Sequence, residues 1–266
     1  MGDRVTAPFV CACGRCAACA AGDQQVCERQ TQPGFTHWGS FAEYVTVEHA
    51  EVNLVRLPEE TTFAAGAGLG CRVATAFRAV TAQGRVAPGE WVAVHGCGGV
   101  GLAAVAVAAV AGARVVAVDV SPTALDLAAE LGAAVCVDAS AVDPVTAVVE
   151  ATGGGAHVSL DTLGSPATCA ASVRCLRRRG RHVQVGLLPS DPPVPMGRVV
   201  AYELALLGSH GMPAHAYPEL IALVAAGVLR PELAITATIG LDAVPAALTA
   251  MGAAPGSGVT IITPSG

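Results

Sequence analysis

Through the middle of the chain, short runs rich in β-branched residues alternate with longer runs of alanine, valine and leucine. Short apolar runs of this kind are typical of buried parallel strands, and the longer runs are typical of buried helices. The pattern predicts strands at WVAVHG, ARVVAVDVS, AAVCVD, AHVSLDTLG and RHVQVGLL, with helices between them. Because strand and helix alternate, we predict an α/β fold with a doubly wound parallel sheet.

Boundary signals define several elements. Ser121 and Pro122 predict the cap and first turn of one helix. A helical segment from about Phe63 is predicted to close at Gly84. The basic run RCLRRRGR, residues 174–181, is predicted to end a helix, where cations suit the negative end of the helix dipole. In the first sixty residues, FAEYVTV at 41–47 is predicted to be β-like, and the tail is predicted to form a helix and a final strand.

Composition narrows the possible functions. Charged residues make up 14% of the chain and the net charge is -6, so no basic surface for nucleic acid is expected. The segment from Val100 to Val118 is almost wholly apolar, but Gly112 divides it into a helix-like and a strand-like part, so we expect no membrane span. The first ten residues lack the long apolar region of a signal peptide, and we expect a reducing, cytoplasmic location.

A glycine-rich loop directly follows one predicted strand and opens the next helix. Gly96, Gly98, Gly99 and Gly101 fit the dinucleotide fingerprint, in which glycines allow a tight turn and a close approach of the backbone to a diphosphate. Asp119 ends the next predicted strand, where a carboxylate accepts hydrogen bonds from ribose hydroxyls and repels a 2′-phosphate. The loop therefore predicts NAD rather than NADP. The alternative is a glycine-rich turn with an ordinary helix-capping aspartate.

Four cysteines, Cys13, Cys16, Cys19 and Cys27, fall within fifteen residues. An iron–sulfur cluster would favour a shorter last gap, and disulfides between residues this close would be strained. Four thiolates around a tetrahedral zinc ion fit the spacing best, and such a closed site is structural rather than catalytic. Cys11 is predicted to lie outside the set.

Taken together, these motifs resemble the zinc-dependent medium-chain alcohol dehydrogenases. The resemblance extends over almost the whole chain. It is carried by GDRV at 2–5, the cysteine lobe, GSFAEYV at 39–45, GCRVATAFRAV at 70–80, GCGGVG at 96–101, Asp119, VGLL at 185–188 and LLGSHGM at 206–212.

The resemblance implies hydride transfer between NAD and a small alcohol, aldehyde or ketone, with a second zinc that polarises the alcohol oxygen. It implies that Cys71 is a ligand of this catalytic zinc and that Thr75 packs beside the nicotinamide. Val100 would lie behind the nicotinamide ring, and the backbone of Val185 and Leu187 would lie near its carboxamide. Without the resemblance, Cys71 would be interpreted as a small buried apolar residue.

The same resemblance implies a domain division and an assembly. Residues 1–62 would form a partial GroES-like catalytic domain with the structural zinc lobe, and residues 63–210 a Rossmann NAD-binding domain. Residues 211–266 would end the cofactor domain and return to the catalytic one. A homo-oligomer, dimer or tetramer, is implied, with a contact through the last strands of the cofactor sheet near ITATIG or LLGSHGM.

One departure from the family pattern changes the expected activity. Family members begin with a segment that carries the first ligand cysteine, a proton-relay hydroxyl and a GHE-type motif, whereas this chain begins at GDRV. We therefore expect an N-terminally truncated member that binds the second zinc poorly, since one thiolate cannot build a three-ligand site. The alternative to an active dehydrogenase is an impaired NAD-binding chain with one structural zinc. Unpaired strand edges and self-association are also expected.

Overall fold

The computed structural model describes residues 2–253 and 257–264, which form two compact units. The central unit is Thr75–Ser209, and the terminal unit combines Met1–Ala74 with His210–Gly266. The sequence-based division was placed after residues 62 and 210, whereas the units divide after Ala74 and Ser209. All of 210–266 groups with the first part of the chain.

The first part of the terminal unit has little regular structure. It contains β1 (Val5–Thr6), α1 (Ala17–Ala20), a 3₁₀ turn (Gln24–Val26), α2 (Ala50–Asn53) and β2 (Val55–Arg56). Strands β1 and β2 pair antiparallel. The β-like segment predicted at 41–47 is not a strand: these residues form bends and extended chain, and Tyr44 is 90% exposed. Strand propensity is realised only when a neighbouring strand supplies pairing and burial, and none of the described strands pairs with this segment.

A helical segment then runs almost to Gly84, as predicted. It consists of α3 (Phe63–Gly68), a π-helical turn (Leu69–Val73), α4 (Ala74–Arg78) and a second π-helical turn (Ala79–Gln83). The Thr62 hydroxyl caps its start by accepting a hydrogen bond from the Ala65 N–H.

The central unit is built on one six-stranded parallel sheet, which confirms the predicted doubly wound fold. The strand order is β5-β4-β3-β6-β7-β8. Valine, leucine and alanine side chains of β3, β4 and β6 are fully buried under the flanking helices. The elements, in chain order, are β3 (Trp91–His95), α5 (Gly99–Val110), β4 (Arg114–Asp119), α6 (Pro122–Glu130), β5 (Ala133–Asp138), α7 (Pro144–Ala151), β6 (Ala156–Asp161), α8 (Pro166–Arg174), β7 (Leu176–Gln184), α9 (Met196–Tyr202) and β8 (Ala205–Gly208).

Three of these helices begin with a side-chain cap. Ser121 accepts from the N–H of Ala124 at the start of α6, which confirms the predicted cap. Asp143 caps α7, and Ser165 forms a capping box with α8. Helix α5 differs, because its N-cap residue is glycine and no side chain caps it.

The prediction that residues 174–181 end a helix is wrong for most of that run. Helix α8 ends at Arg174, and Leu176 already pairs with Ala156 in the sheet. The register between β6 and β7 shifts within this run, and Arg179 adopts a positive φ of 65°. Helix and strand are separated by Cys175 alone, so no glycine or proline marks the boundary in the sequence.

The second part of the terminal unit contains 3₁₀ turns (Ala214–Ala216, Pro231–Ala234 and Leu241–Ala243), α10 (Tyr217–Ala225), β9 (Ile235–Gly240), α11 (Val244–Ala253) and β10 (Val259–Thr263). The segment ITATIG, predicted among the last strands of the cofactor sheet, is β9 and instead pairs parallel with β10 in a separate sheet. Its partner is the last strand of the chain, which the local pattern does not reveal. No helix within the described residues combines the length and apolar character needed to cross a membrane.

Candidate functional site

The glycine-rich loop lies between β3 and α5 at the carboxyl edge of the sheet. Gly96 has a φ of +92°, and a Cβ added to Gly101 would overlap the Gly96 carbonyl oxygen, so both positions require glycine. A Cβ added to Gly98 would meet no atom within 4 Å, so the backbone there faces open space. Gly99 and the half-buried Val100 form the first turn of α5. The start of α5 thus has open space at Gly98, and no side chain of the described residues caps its first N–H groups.

Asp119 ends β4 beside this loop, as the fingerprint predicts. One of its carboxylate oxygens accepts from the N–H of Cys97 within the loop. The other accepts from the N–H groups of Val120 at 2.7 Å and Ser121 at 2.9 Å. The half-buried Asp119 carboxylate thus bonds to the glycine loop and links it to the end of β4.

Two further loops meet at the same edge, after β6 and β7. Val185 is half-buried and Leu187 is 82% exposed, and both lie in the loop that follows β7. The Thr162 hydroxyl bonds to the carbonyls of His95 at 3.0 Å and Gly96 at 2.7 Å, which ties the β6 loop to the glycine loop. The central unit therefore brings the predicted cofactor residues to one edge of one sheet.

Thr75 and Cys71 lie one helical turn apart on the segment that begins at Phe63. Thr75 is only 7% exposed, and its hydroxyl has no hydrogen-bond partner among the described residues. Cys71 belongs to the first π-helical turn and is exposed. A π-helical turn widens the backbone locally and is frequent at functional sites.

Tyr217 supports the turn that carries Cys71, although no sequence motif predicted a role for it. Its side chain is fully buried, and its hydroxyl donates to the carbonyls of Leu69 at 3.2 Å and Gly70 at 3.3 Å. Gly70 also accepts from the Phe9 N–H. Burial raises the pKa of Tyr217 far above its ordinary value, so the hydroxyl stays a donor.

The cysteine lobe has the geometry of a metal site. The sulfurs of Cys13, Cys16, Cys19 and Cys27 are all buried and lie within 4.8 Å of one another. The Cys16 sulfur lies 3.4 Å from that of Cys19 and 3.7 Å from that of Cys27. A tetrahedral zinc with Zn–S bonds of about 2.3 Å separates its sulfurs by about 3.8 Å, so the four thiols fit zinc. Cys11 is buried outside this group.

The lobe also favours thiolates at some of its positions. The backbone N–H of Arg15 is the main cause that lowers the pKa of Cys13 to about 6, and that of Cys16 is lowered by the N–H of Cys19. Burial raises the pKa of Cys19 instead, and hydrogen bonds with neighbouring thiols add to this. Four buried thiolates repel one another, so a divalent cation is needed to hold them all.

Asn53 anchors the lobe, a role that no sequence motif indicates. Its buried amide exchanges two hydrogen bonds with the backbone of Ala12, at 2.8 and 2.9 Å. It also donates to the carbonyls of Glu48 and His49. The chain beside the first ligand cysteine is thereby tied to the loop before α2.

The four-cysteine lobe is the only group of three or more metal-binding side chains found in residues 2–253 and 257–264. Cys71 therefore lacks the further donors that a catalytic zinc needs in this part of the chain. His37 bonds to Thr36 and to the Thr46 carbonyl, and His95 is buried in β3 near the Cys175 sulfur. The structure brings the predicted cofactor residues together and the four lobe cysteines together, but no second metal site is complete within the residues that it describes.

Family models match both parts of the chain. Residues 1–59 match the alcohol dehydrogenase GroES-like domain, and residues 99–226 match the zinc-binding dehydrogenase domain.

Individual relatives agree with these matches. An alcohol dehydrogenase of Geobacillus stearothermophilus is 36% identical over 210 residues, which cover 79% of this chain and 61% of the relative, so the chain spans about three fifths of that protein. The alcohol dehydrogenase TADH from Thermus sp. ATN1 superposes with a TM-score of 0.91 at 31% identity, covering 98% of this chain and 80% of that one. The enzyme from Aeropyrum pernix gives 0.88 at 33% identity, covering 99% and 76%. With its parallel Rossmann-type sheet, glycine loop and cysteine lobe, this chain belongs to the zinc-dependent medium-chain alcohol dehydrogenase family.

Proposed function

We propose that the central unit binds NAD and that the chain serves hydride transfer between a small alcohol and the matching aldehyde or ketone. One observation carries the proposal: the uncapped start of α5 faces open space at Gly98, directly beside a carboxylate at the end of β4. Bound NAD would supply the hydride acceptor, and a catalytic zinc would polarise the alcohol oxygen. The protein's contribution is to bind and orient the cofactor.

The residues around α5 fit a diphosphate and an unphosphorylated ribose. The free N–H groups at the start of α5 attract phosphate oxygens. Asp119 uses its two oxygens for three backbone donors, and a carboxylate offers about four acceptor positions, so one remains for a ribose hydroxyl. Asp119 would repel a 2′-phosphate, and its neighbours Val120 and Ser121 offer no positive charge. These features favour NAD over NADP.

The nicotinamide half would extend the other way across the sheet. Because the adenosine ribose lies near β4, the opposite half of the dinucleotide runs from the glycine loop towards β6 and β7. There Val185 and Leu187 lie in the loop that follows β7. The buried, unpartnered Thr75 hydroxyl in the same unit is suited to a polar group of the cofactor. We propose these residues, with Val100, as the nicotinamide contacts.

Calorimetric titration of the purified chain with NAD and NADP tests this function. We expect NAD to bind at least about tenfold more tightly, a difference of about 1.4 kcal/mol. The Asp119→Asn variant removes the charge and is expected to reduce that preference at least about threefold. The matched control is Asp126→Asn, an equal loss of charge at an exposed position of α6. Equal affinity of the wild-type chain for both cofactors would contradict the choice of NAD, and no affinity for either would contradict the function.

We propose one structural zinc in the cysteine lobe, and zinc content measures this directly. The wild-type chain should contain one zinc, and Cys27→Ser should lose it. The control is Cys136→Ser, at an exposed cysteine outside the lobe. Retention of zinc by Cys27→Ser would contradict the assignment of the lobe.

The second candidate function is an NAD-binding protein with impaired dehydrogenase activity. It is favoured by the lack of further donors around Cys71 within the described residues. Zinc content and NADH formation from a panel of short alcohols separate the two candidates. Two zincs per chain with turnover support an active dehydrogenase. One zinc and bound NAD without turnover support the impaired form.

We also propose that the chain forms a homo-oligomer and resides in a reducing compartment. Phe35, Trp38 and Tyr44 are between 83% and 94% exposed, an unusual exposure for aromatic side chains. Together with the family resemblance, they support a homo-oligomer, which light scattering of the purified chain would detect as a dimer or tetramer mass. A reducing compartment such as the cytoplasm would keep the cysteine lobe available to zinc.

A further inference from the structure

Asp161, at the end of β6, is a fully buried carboxylate that the function described so far does not use. One of its side-chain oxygens accepts from the N–H groups of Leu163 at 3.1 Å and Gly164 at 3.0 Å. Its backbone carbonyl accepts from the N–H groups of Val185 at 3.0 Å and Gly186 at 2.8 Å. A single residue therefore holds the loops that follow two neighbouring strands.

Gln184, at the end of β7, completes the link. Its amide nitrogen donates to the second Asp161 oxygen and to the Gly186 carbonyl, both at 2.9 Å. Because a carboxylate and a carbonyl only accept, the amide orientation is fixed. The Gln184 oxygen must then accept from Nε2 of His182, at 3.2 Å. On its other side, the His182 ring meets the Ser172 hydroxyl at 2.9 Å.

The two loops leave little room for movement against each other. A Cβ added to Gly164 would overlap the Leu187 carbonyl oxygen, and a Cβ added to Gly186 would overlap the Gly164 nitrogen. The loops thus pack backbone against backbone. A Cβ added to Gly96 would lie 3.0 Å from the Leu163 Cβ, so the same loop also borders the phosphate-binding loop.

We propose that Asp161 is a positioning residue that holds the β6 and β7 loops in place for the nicotinamide half of the dinucleotide. This inference rests on the NAD-binding function proposed above. The adenosine ribose and the diphosphate are served by Asp119 and the start of α5, which make no hydrogen bond to Asp161. Loss of the Asp161 carboxylate therefore weakens binding of the nicotinamide half much more than binding of the ADP-ribose half.

Comparison of NADH with ADP-ribose, which lacks the nicotinamide, tests this by calorimetry. In Asp161→Asn, the new amide NH₂ group faces the Gln184 amide nitrogen, so donor meets donor. We expect the dissociation constant for NADH to rise at least about tenfold. That for ADP-ribose should stay within about twofold.

Ser172→Ala is the matched control. It removes the hydroxyl that bonds to His182 at the far end of the same network and leaves the hydrogen bonds of Asp161 intact. It is expected to lower the melting temperature without changing the ratio of the NADH and ADP-ribose affinities. A purely structural role of the network predicts instead that Ser172→Ala and Asp161→Asn act alike on this ratio, and that result would overturn the proposal.

The remaining outcomes are equally decisive. An Asp161→Asn variant that folds, as shown by circular dichroism, and keeps the wild-type affinity ratio overturns the inference. If this variant does not fold, Gln184→Met provides the test, with an expected loss of NADH affinity of at least about threefold and unchanged ADP-ribose binding. A wild-type chain that binds neither ligand refutes the proposed function, and the inference fails with it.

Discussion

Replacement of Asn53 by alanine should loosen the cysteine lobe. The side chain is 1% exposed, and its amide satisfies both the N–H and the carbonyl of Ala12, which is also 1% exposed. A buried backbone group left without a partner costs about 1–3 kcal/mol. Two such groups give a loss of about 2–5 kcal/mol in the free energy of unfolding, allowing for some relaxation. At about 2–4 °C per kcal/mol, the melting temperature should fall by at least about 4 °C.

The assay combines thermal unfolding with zinc release to a chromogenic chelator. Because Ala12 directly precedes Cys13 of the lobe, the proposed zinc should be released measurably faster from Asn53→Ala than from the wild-type chain. Gln32→Ala is the matched control, since it removes a half-buried amide of the same region whose side chain bonds only to Gln30. It should shift stability by no more than about 0.5 kcal/mol. Wild-type melting and zinc release in Asn53→Ala would refute the argument that this amide holds the lobe.

Three further substitutions test hydrogen bonds and ion pairs within each unit. Burial raises the pKa of Glu90, but hydrogen bonds from Arg181 and the Ala87 N–H outweigh it and hold the pKa below its ordinary 4.5. Glu90→Gln should therefore lower the free energy of unfolding by about 1 kcal/mol at neutral pH, and this loss should disappear as the pH falls below about 4.5. Denaturant titrations across pH would measure it. The control is Glu203→Gln, at an exposed ion pair. Ser165→Ala removes the capping box of α8 and should cost about 1–2 kcal/mol in denaturant unfolding; an unchanged midpoint would contradict this. Tyr217→Phe leaves the Leu69 carbonyl without its donor and should lower the free energy of unfolding by about 1–2 kcal/mol, whereas a melting curve like that of the wild-type chain would show that the hydroxyl is dispensable.

Local sequence signals were sufficient for most of the central unit. Strands β3, β4 and β6 are short apolar runs, and the starts of α6, α7 and α8 are marked by a residue whose side chain acts on its own neighbours, as Ser121 does. Strand β7 was not predictable in this way, because its first half carries the basic run. The placement of the glycine loop and Asp119 was predictable for the same reason, since they follow or end consecutive strands. The clustering of the four lobe cysteines was predictable because they are close in sequence.

Features that depend on distant residues were not predictable. The strand ITATIG pairs with the last strand of the chain, and Asn53 acts on Ala12, 41 residues away. Tyr217 reaches Leu69 across 148 residues. In each case the partner is selected by tertiary packing, and nothing in the neighbouring sequence identifies it. Residues 41–47 show the reverse error, because their strand-like pattern has no described partner to pair with.

The two units depend on different sources of stability. The central unit buries its strands in a six-stranded sheet, whereas the described sheets of the terminal unit have two strands each. Two-stranded sheets are marginal without further support. In the terminal unit that support comes from the clustered thiols of the lobe and from the hydrogen bonds of the Asn53 amide and the Tyr217 hydroxyl. Removal of the proposed zinc should therefore unfold the terminal unit at temperatures where the central unit stays folded and keeps its proposed NAD affinity, because the proposed cofactor residues all lie within Thr75–Ser209.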